Sequence, residues 1–205
     1  MTVTESQIRD YGFDEMANAG FYIAFRIEFL LPEFEYNDLP RPWVHKYTQQ
    51  GLLMMDPVLR WVYCNVGSIR WSEIDISDTA GVLREAARYD LNFGAAISIR
   101  DEQDASIRSF GNFCRSDREF EPSEIKELER RLELLFSDLT APDDVTEAET
   151  EVLAAIRDGE LIKEIAFKLS ISEGAVKQRL RSAKDKLGAR TTPHAVSLAV
   201  GYGLL

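Results

Sequence analysis

The chain has 205 residues, 45% of them apolar, and a formal net charge of −11. This composition is typical of a globular protein, and the length predicts two domains of unequal size. No apolar run is long enough to cross a bilayer, and the N-terminus lacks a secretory signal, so we expect a cytoplasmic protein that does not enter the membrane. Cys64 and Cys114 show no metal-ligand spacing with His45 and His194, which predicts reduced, buried thiols and no metal site.

The N-terminal part of the chain contains both the alternating apolar pattern of strands and the apolar spacing of helices. Residues 21–29, FYIAFRIEF, predict a strand whose apolar face carries Phe21, Ile23, Phe25, Ile27 and Phe29. Residues 93–100 and 105–114 flank a polar turn at 101–104, which predicts a hairpin. Helical spacing occurs at 43–54 and 79–91, and a strong amphipathic pattern occurs at 124–139. We therefore predict an α+β protein whose residues 1–139 form an α/β/α sandwich sensor domain.

A change in composition then predicts a second, all-α domain. Residues 140–146, TAPDDVT, are short and polar and predict a linker. Thr146 followed by Glu149 is the pattern of a capping box at a helix start. The remaining residues, 147–205, predict four helices, which begin or end at Gly159, Ser172, Gly188 and Pro193.

The third of these helices, from Ser172 to Leu187, carries a row of cations. Lys177, Arg181 and Lys184 are spaced by four and three residues, opposite an apolar stripe that must face inward. A solvated charged face is the alternative, but the short turn at 169–172 also fits a helix-turn-helix. Residues 161–205 hold eight Lys or Arg against three Asp or Glu. We expect this helix to bind double-stranded DNA, with Arg179 and Ser172 as further contacts.

Residues 145–205 resemble the DNA-binding domain of LuxR-type transcription regulators over essentially their whole length. The matching positions are Glu149, Leu153, Gly159, Ile165, Ala166, Leu169, Ser172, Val176, Lys177, Leu180, Lys186, Leu187, Gly188 and Ala195. The resemblance places the family's base contacts on Lys177 and Arg181, and it implies a homodimer on a palindromic promoter element, with the last helix contributing to dimerisation. Ser170 stands where the family often has glycine.

This kind of DNA-binding domain occurs with several kinds of sensor. A phosphoacceptor receiver domain needs an acidic pair directly after its first strand, and the segment after 21–29, LLPEFEYNDLP, supplies none. No nucleophile with its base and no phosphate-binding loop is visible, so an enzyme is not expected.

Residues 43–71 gather aromatic residues around one carboxylate. An ionised Asp56 in an apolar pocket accepts hydrogen bonds only, whereas the indole of Trp43 donates only. A ligand that fits both groups carries an amide-like N–H and a carbonyl, with an apolar remainder along Tyr47 and Trp71. Each aromatic residue taken singly is more often part of a core, and Asp56 before Pro57 is more often a helix or turn cap. Their combination favours a pocket.

The spacing of Trp43, Tyr47, Asp56, Pro57 and Trp71 resembles the acyl-homoserine-lactone (autoinducer) binding domain of LuxR-type quorum-sensing regulators. The resemblance implies that Trp43 donates to the lactone carbonyl and that Asp56 accepts the amide N–H. It also implies that Tyr47 lines the acyl region and that Trp71 packs against the lactone ring. A family glycine corresponds to Gly94.

One position departs from the family pattern. A tyrosine usually precedes the first tryptophan by four residues and binds the amide carbonyl, whereas this chain has Leu39 there. Tyr36 is the candidate substitute for its hydroxyl. We predict a transcription regulator, without a cofactor, that senses an N-acyl-homoserine lactone or a related amphiphile. The alternative is a ligand-independent regulator whose pocket is closed or filled and which binds its promoter constitutively.

Overall fold

A computed structural model describes residues 5–28, 31–101, 106–140, 142 and 144–205. The chain forms two compact units that divide between Glu133 and Leu134. The predicted linker, 140–146, includes residues 141 and 143, which lie outside the described residues, and the predicted domain boundaries stay a prediction.

A five-stranded antiparallel sheet with the order β2-β1-β5-β4-β3 forms the centre of the first unit. The strands are β1 (Gly20–Glu28), β2 (Leu31–Asn37), β3 (Gly67–Arg70), β4 (Phe93–Arg100) and β5 (Arg108–Arg115). The strand predicted at 21–29 and the hairpin predicted at 93–114 are confirmed within the described residues, while Phe29, Ala105 and most of the predicted turn lie outside them. The pattern analysis missed β2 and β3, the two edge strands.

A bulge in β1 corrects the predicted alternation of that strand. Arg26 has a φ of +48°, and the pairing of β1 with β5 shifts between Ala24 and Ile27. The extra residue turns Ile27 to the opposite face from Phe25, where it joins the apolar cluster of Ala24. The prediction that Ile27 shares a face with Phe21, Ile23 and Phe25 is therefore wrong.

Five α-helices in chain order complete this part of the structure: α1 (Glu5–Asp10), α2 (Arg41–Gln49), α3 (Pro57–Cys64), α4 (Val82–Ala86) and α5 (Pro122–Thr140). The helix predicted at 43–54 ends early because Gly51 has a φ of +60°, and a 3₁₀ turn, Leu52–Met55, follows. The pattern at 79–91 likewise divides into α4 and a 3₁₀ turn, Ala87–Tyr89. The helix predicted at 124–139 is confirmed as α5.

The sheet is covered on both faces, which confirms the predicted α/β/α arrangement. On one face, Phe21 and Phe113 pack against each other with ring centroids 6.0 Å apart, and Leu132 of α5 lies directly over Gly111. On the other face, a cluster that includes Val58 and Val62 of α3 packs on Ala24, Ala96 and Phe110. Cys114 is buried, whereas Cys64, the last residue of α3, is exposed, so the prediction that both thiols are buried is wrong for Cys64.

Four helices of the second unit confirm the predicted all-α arrangement: α6 (Glu147–Arg157), α7 (Ile162–Lys168), α8 (Glu173–Lys186) and α9 (Thr192–Gly201). Their shared core includes Leu153, Ile165 and Val176, all 0% exposed. Between α7 and α8, Ser170 has a φ of +53°, a conformation that glycine adopts with less strain. The departure noted at this position therefore places a residue with a side chain in the left-handed region.

Candidate ligand-binding site and nucleic-acid interface

A cavity of about 330 Å³ lies beside the sheet face that carries α3. This volume is within the range of small-molecule sites, roughly 300–1,000 Å³. Every sequence-predicted ligand contact except Tyr36 lines it, together with residues that the sequence analysis did not select. Leu39 lies in the wall with these polar and aromatic residues: Tyr22, Glu35, Trp43, Tyr47, Asp56, Tyr63, Trp71, Asn112 and Cys114.

Asp56 occupies two roles at the start of α3. It is the N-cap of that helix, since Oδ1 accepts a 2.8 Å hydrogen bond from the backbone N–H of Val58. Its Oδ2 accepts a 2.7 Å bond from the hydroxyl of Tyr47. Burial raises the pKa of Asp56, although the bonds from Tyr47 and Val58 act in the opposite direction. The backbone N–H of Leu59 is a third donor to this carboxylate. A carboxylate has about four lone-pair sites, so Asp56 retains the capacity to accept one further donor.

Trp43 brings an N–H donor to the same wall. It lies on α2, is 5% exposed, and packs against Tyr47 and Tyr89 with ring centroids 5.3 and 5.7 Å away. Within the described part of the chain, its Nε1 has no hydrogen-bond acceptor. Because Trp43 lines the cavity, this N–H is available to donate to a bound molecule.

Trp71 is held between the sheet and a polar residue. A Cβ placed on Gly94 would lie only 2.1 Å from Trp71 Cε2, so the indole rests directly on the backbone of β4. Trp71 Nε1 donates a 2.9 Å hydrogen bond to Asn112 Oδ1 on β5. This geometry gives a physical reason for glycine at position 94, and it commits the indole N–H of Trp71 to the protein.

Two predicted contacts near the start of α2 have different outcomes. Leu39 lines the cavity and supplies no hydrogen-bonding group. Tyr36 pairs with Ile23 in the sheet and its ring contacts Phe21 at 5.5 Å, on the face opposite the cavity. Strand alternation turns Glu35 and Asn37, not Tyr36, toward the cavity. The role proposed for Tyr36 is therefore wrong.

Asn112 is the polar residue that sequence reasoning missed. The segment 110–114, FGNFC, gave no placement for a polar contact. A signal was present in the period of β5, because alternation places Asn112 on the same face as Phe110 and Cys114, both residues of the cavity wall. The face was not assignable from the sequence, since both sides of this strand are apolar.

The second unit presents cations on α8. Lys177 and Arg181 are exposed, Lys184 is half-buried, and the side chain of Arg181 is 84% exposed. Among the described residues, Lys177 and Lys184 form no ion pair, and Arg181 approaches only Asp185, at 4.0 Å. The apolar stripe of Val176 and Leu180 faces the core. The three side chains thus share one side of the helix, and Lys177 and Arg181 on it are exposed.

Ser172 and Arg179 are placed differently from this row. Ser172 Oγ accepts a 3.1 Å bond from the backbone N–H of Ala175 and caps α8. Arg179 is half-buried, and its guanidinium lies 3.9 Å from Glu151 of α6. A separation of two residues from Arg181 turns Arg179 roughly 200° around the helix. The structure therefore does not bring Arg179 together with Lys177, Arg181 and Lys184.

A buried ion pair connects α6 to α8. Glu149 is 6% exposed, accepts a 2.7 Å bond from the Thr146 backbone N–H, and lies 2.9 Å from Lys186 Nζ. Burial alone would raise the pKa of Glu149, but hydrogen bonds from Ser182, Lys186 and Thr146 lower it to about 2. The predicted capping box at Thr146 is confirmed, and Glu149 also fixes the helix that carries the cations.

The fold and these two sites define a protein that contains both a small-molecule pocket and a helix-turn-helix. A model of the autoinducer binding domain matches residues 1–140, and a model of bacterial regulatory proteins of the luxR family matches residues 143–199. The chain belongs to the LuxR-type quorum-sensing transcription regulators, which bind an autoinducer and DNA. This family consists of transcription regulators rather than enzymes.

Curated relatives and a solved structure agree with this membership. The HTH-type quorum-sensing regulator RhlR of Pseudomonas aeruginosa is 27% identical over 215 residues, covering 99% of this chain and 88% of that protein. The regulatory protein SdiA of Escherichia coli is 27% identical over 184 residues, covering 83% and 75%. A structure of SdiA in complex with octanoyl-rac-glycerol has a TM-score of 0.50 at 21% identity and covers 99% of this chain and 90% of that one, a likeness of fold.

None of the described helices is both long and apolar enough to cross a membrane. The described side chains also contain no group of three His, Cys, Asp or Glu arranged to hold a metal ion.

Proposed function

We propose that this regulator senses an N-acyl-homoserine lactone or a closely related N-acyl amide. The observation that carries the proposal is the combination of Asp56 and Trp43 in one cavity wall. Asp56 offers a buried acceptor for an amide N–H, and Trp43 offers an unpartnered donor for a carbonyl. A charge-assisted bond to Asp56 contributes about 1.5–3 kcal/mol, enough to favour an amide over an ester of the same shape.

The alternative, a regulator whose pocket is filled and whose promoter binding is constitutive, gains no support from the cavity. Its wall encloses about 330 Å³, and apolar side chains such as Leu83, Leu91 and Val82 surround the polar groups. Such a wall suits the acyl part of an amphiphile. With leucine at position 39 the site lacks one hydroxyl, and the leucine side chain does not fill the cavity.

On the DNA side, the protein acts as a homodimer on a palindromic promoter element in the cytoplasm. One helix-turn-helix presents few base contacts, and two recognition helices related by a two-fold axis add their binding energies. Lys177 and Arg181 are the base-contacting residues, with Lys184 and Ser172 at the flanks. The exposure of Lys177 and Arg181 on one side of α8 supports this assignment.

The ligand acts by linkage. A molecule that binds the folded state stabilises it in proportion to the logarithm of its concentration, by about 2.7 kcal/mol at 100 times its Kd. Ligand that completes the cavity therefore raises the population of folded, dimerisation-competent protein and, through it, promoter occupancy.

The test is a melting and DNA-binding series on the full chain with N-acyl-homoserine lactones from C4 to C14. We expect at least one lactone to raise the melting temperature and the affinity for promoter DNA. Extraction of purified protein expressed with the same panel, followed by mass spectrometry, should recover that lactone. Identical melting temperature, yield and DNA affinity with and without every lactone would support the constitutive alternative.

A further inference from the structure

The cavity wall presents unused N–H donors and one buried carboxylate. Trp43 Nε1 and Asn112 Nδ2 have no acceptor among the described residues, nor has Nδ2 of the exposed Asn37, whereas Trp71 Nε1 is already bonded to Asn112. Asp56 is the buried acceptor. An N-acyl-homoserine lactone has one amide N–H and two carbonyl oxygens, one on the lactone and one on the amide. With Trp43 and Asn112, the less exposed part of the wall holds a donor for each carbonyl oxygen, and Asp56 is the acceptor for the N–H.

Trp71 fixes the orientation of the Asn112 amide. Trp71 Nε1 only donates, so the group that faces it at 2.9 Å is the carbonyl oxygen of Asn112. The reverse orientation would bring two donors together. The Asn112 NH₂ group is consequently turned away from Trp71. Trp71 itself has little freedom to move, because its ring lies against the backbone at Gly94.

Asn112 and Asp56 come from the two layers that pack against each other beside the cavity. Asp56 begins α3, and Asn112 belongs to the face of β5 on which α3 packs. Cys114 lies two residues along the same face, about 6.6 Å from Asn112, and the charge of Asp56 contributes, after burial, to the raised pKa of its thiol. A secondary amide directs its N–H and its C=O in opposite directions. An acceptor on the helix layer and a donor on the sheet layer match that geometry.

We propose that Asn112 Nδ2 donates to the amide carbonyl oxygen of the N-acyl ligand, with Trp71 as the residue that positions it. Asn112 thereby replaces the hydroxyl that Leu39 does not supply. The inference rests on the proposed function, and it adds a specificity-determining residue on β5. It also requires the ligand to carry a carbonyl beside the N–H that Asp56 accepts.

The closing experiment compares two Asn→Asp substitutions, one in the cavity wall and one outside it. N112D keeps an oxygen for Trp71 and removes the donor. Asn18 is exposed and does not line the cavity. N18D makes the same chemical change and keeps the oxygen that accepts from the Ser116 backbone N–H at 3.0 Å. Calorimetry uses the lactone of the C4 to C14 panel that the wild type binds most tightly.

We expect N112D to weaken binding by about 10- to 100-fold and N18D to stay within about threefold of the wild type. A neutral pair, N112S and N112A, covers the case in which N112D fails to melt cooperatively. The serine retains a donor, so N112S should bind about fivefold more tightly than N112A.

The outcomes separate the two proposals. If the wild type binds a lactone, three results would overturn the role of Asn112 and leave the proposed function standing: N112D equal to the wild type, N112D and N18D weakened equally, or N112S equal to N112A. A wild type that binds no lactone of the panel would overturn both.

Discussion

The hydroxyl of Tyr47 donates a 2.7 Å hydrogen bond to Asp56 Oδ2 and so joins α2 to the start of α3 in the cavity wall. The other oxygen of Asp56 caps α3 through Val58. One carboxylate therefore supports the fold and, in our proposal, the ligand. The effect of an Asp56 substitution on ligand binding can be interpreted only if its effect on stability is measured separately.

Asp56→Asn and Asp56→Ala make that separation. Asparagine is as good an N-cap as aspartate, so D56N should melt within a few degrees of the wild type, whereas D56A should lose about 1 kcal/mol of stability. D56N loses the charge that receives the ligand N–H, and its affinity should fall by about 10-fold or more. Thermal melting and calorimetry on the same samples check both statements. Full lactone affinity in D56N would contradict the assignment of Asp56 as the amide acceptor.

Lys177, Arg181 and Lys184 lie on one side of α8, whereas Arg179, also predicted to contact DNA, lies elsewhere on the helix. Two substitutions test this difference. Arg181→Ala should reduce affinity for the promoter site by about 1–3 kcal/mol and lower its preference over random DNA. Arg179→Ala should have a smaller effect, because the Arg179 guanidinium lies near Glu151 rather than in the row. Fluorescence anisotropy at several salt concentrations measures both. An equal loss of specificity in the two variants would restore Arg179 as a DNA contact.

The buried pair of Glu149 and Lys186 predicts an acid-sensitive helix-turn-helix. The folded-state pKa of Glu149 is lowered to about 2, below its ordinary value in an unfolded chain. Its contribution is therefore complete above about pH 5 and is lost as the pH falls toward 2. Lys186→Met should cost roughly 1.5–3 kcal/mol at neutral pH and flatten this acid dependence.

Lys168→Met is the matched control for that experiment, since Lys168 pairs with Glu160 at an exposed site. We expect it to change stability by less than about 1 kcal/mol. Urea unfolding between pH 3 and 7 measures both variants. If Lys186→Met retained the full acid dependence of the wild type, the low pKa of Glu149 would have another origin.

Ser170→Gly tests the strain in the turn before α8. A residue with a side chain at φ +53° is disfavoured by about 1–2 kcal/mol relative to the right-handed region, a cost that glycine does not share. The greater freedom of glycine in the unfolded chain offsets part of this gain. We expect a net stabilisation of about 0.5–1 kcal/mol in urea unfolding, with Ser172→Gly, which loses the cap of α8, as a contrasting destabilised variant. A destabilised Ser170→Gly would show that the serine side chain contributes more than its conformation costs.

The parts of this molecule that were predictable from sequence are those governed by strong local patterns. The amphipathic stripe of α5, the capping box at Thr146 and the spacing of Trp43, Tyr47 and Asp56 required only intervals along the chain. Tyr36 and Ile27 were misplaced because the face of a residue in a strand depends on register and bulges, which are tertiary properties. Asn112 was missed for a related reason, since both faces of β5 are covered.

The contact between Trp71 and Gly94 has a consequence for how ligand preference can change. Where the indole rests on β4, the cavity floor is main chain, so its shape at that point does not depend on the choice of a side chain at position 94. A substitution at position 39 of this chain can therefore alter the hydrogen-bonding pattern of the cavity without changing this floor. A single methyl group at Gly94 would displace the indole of Trp71 and so change the shape of the cavity floor.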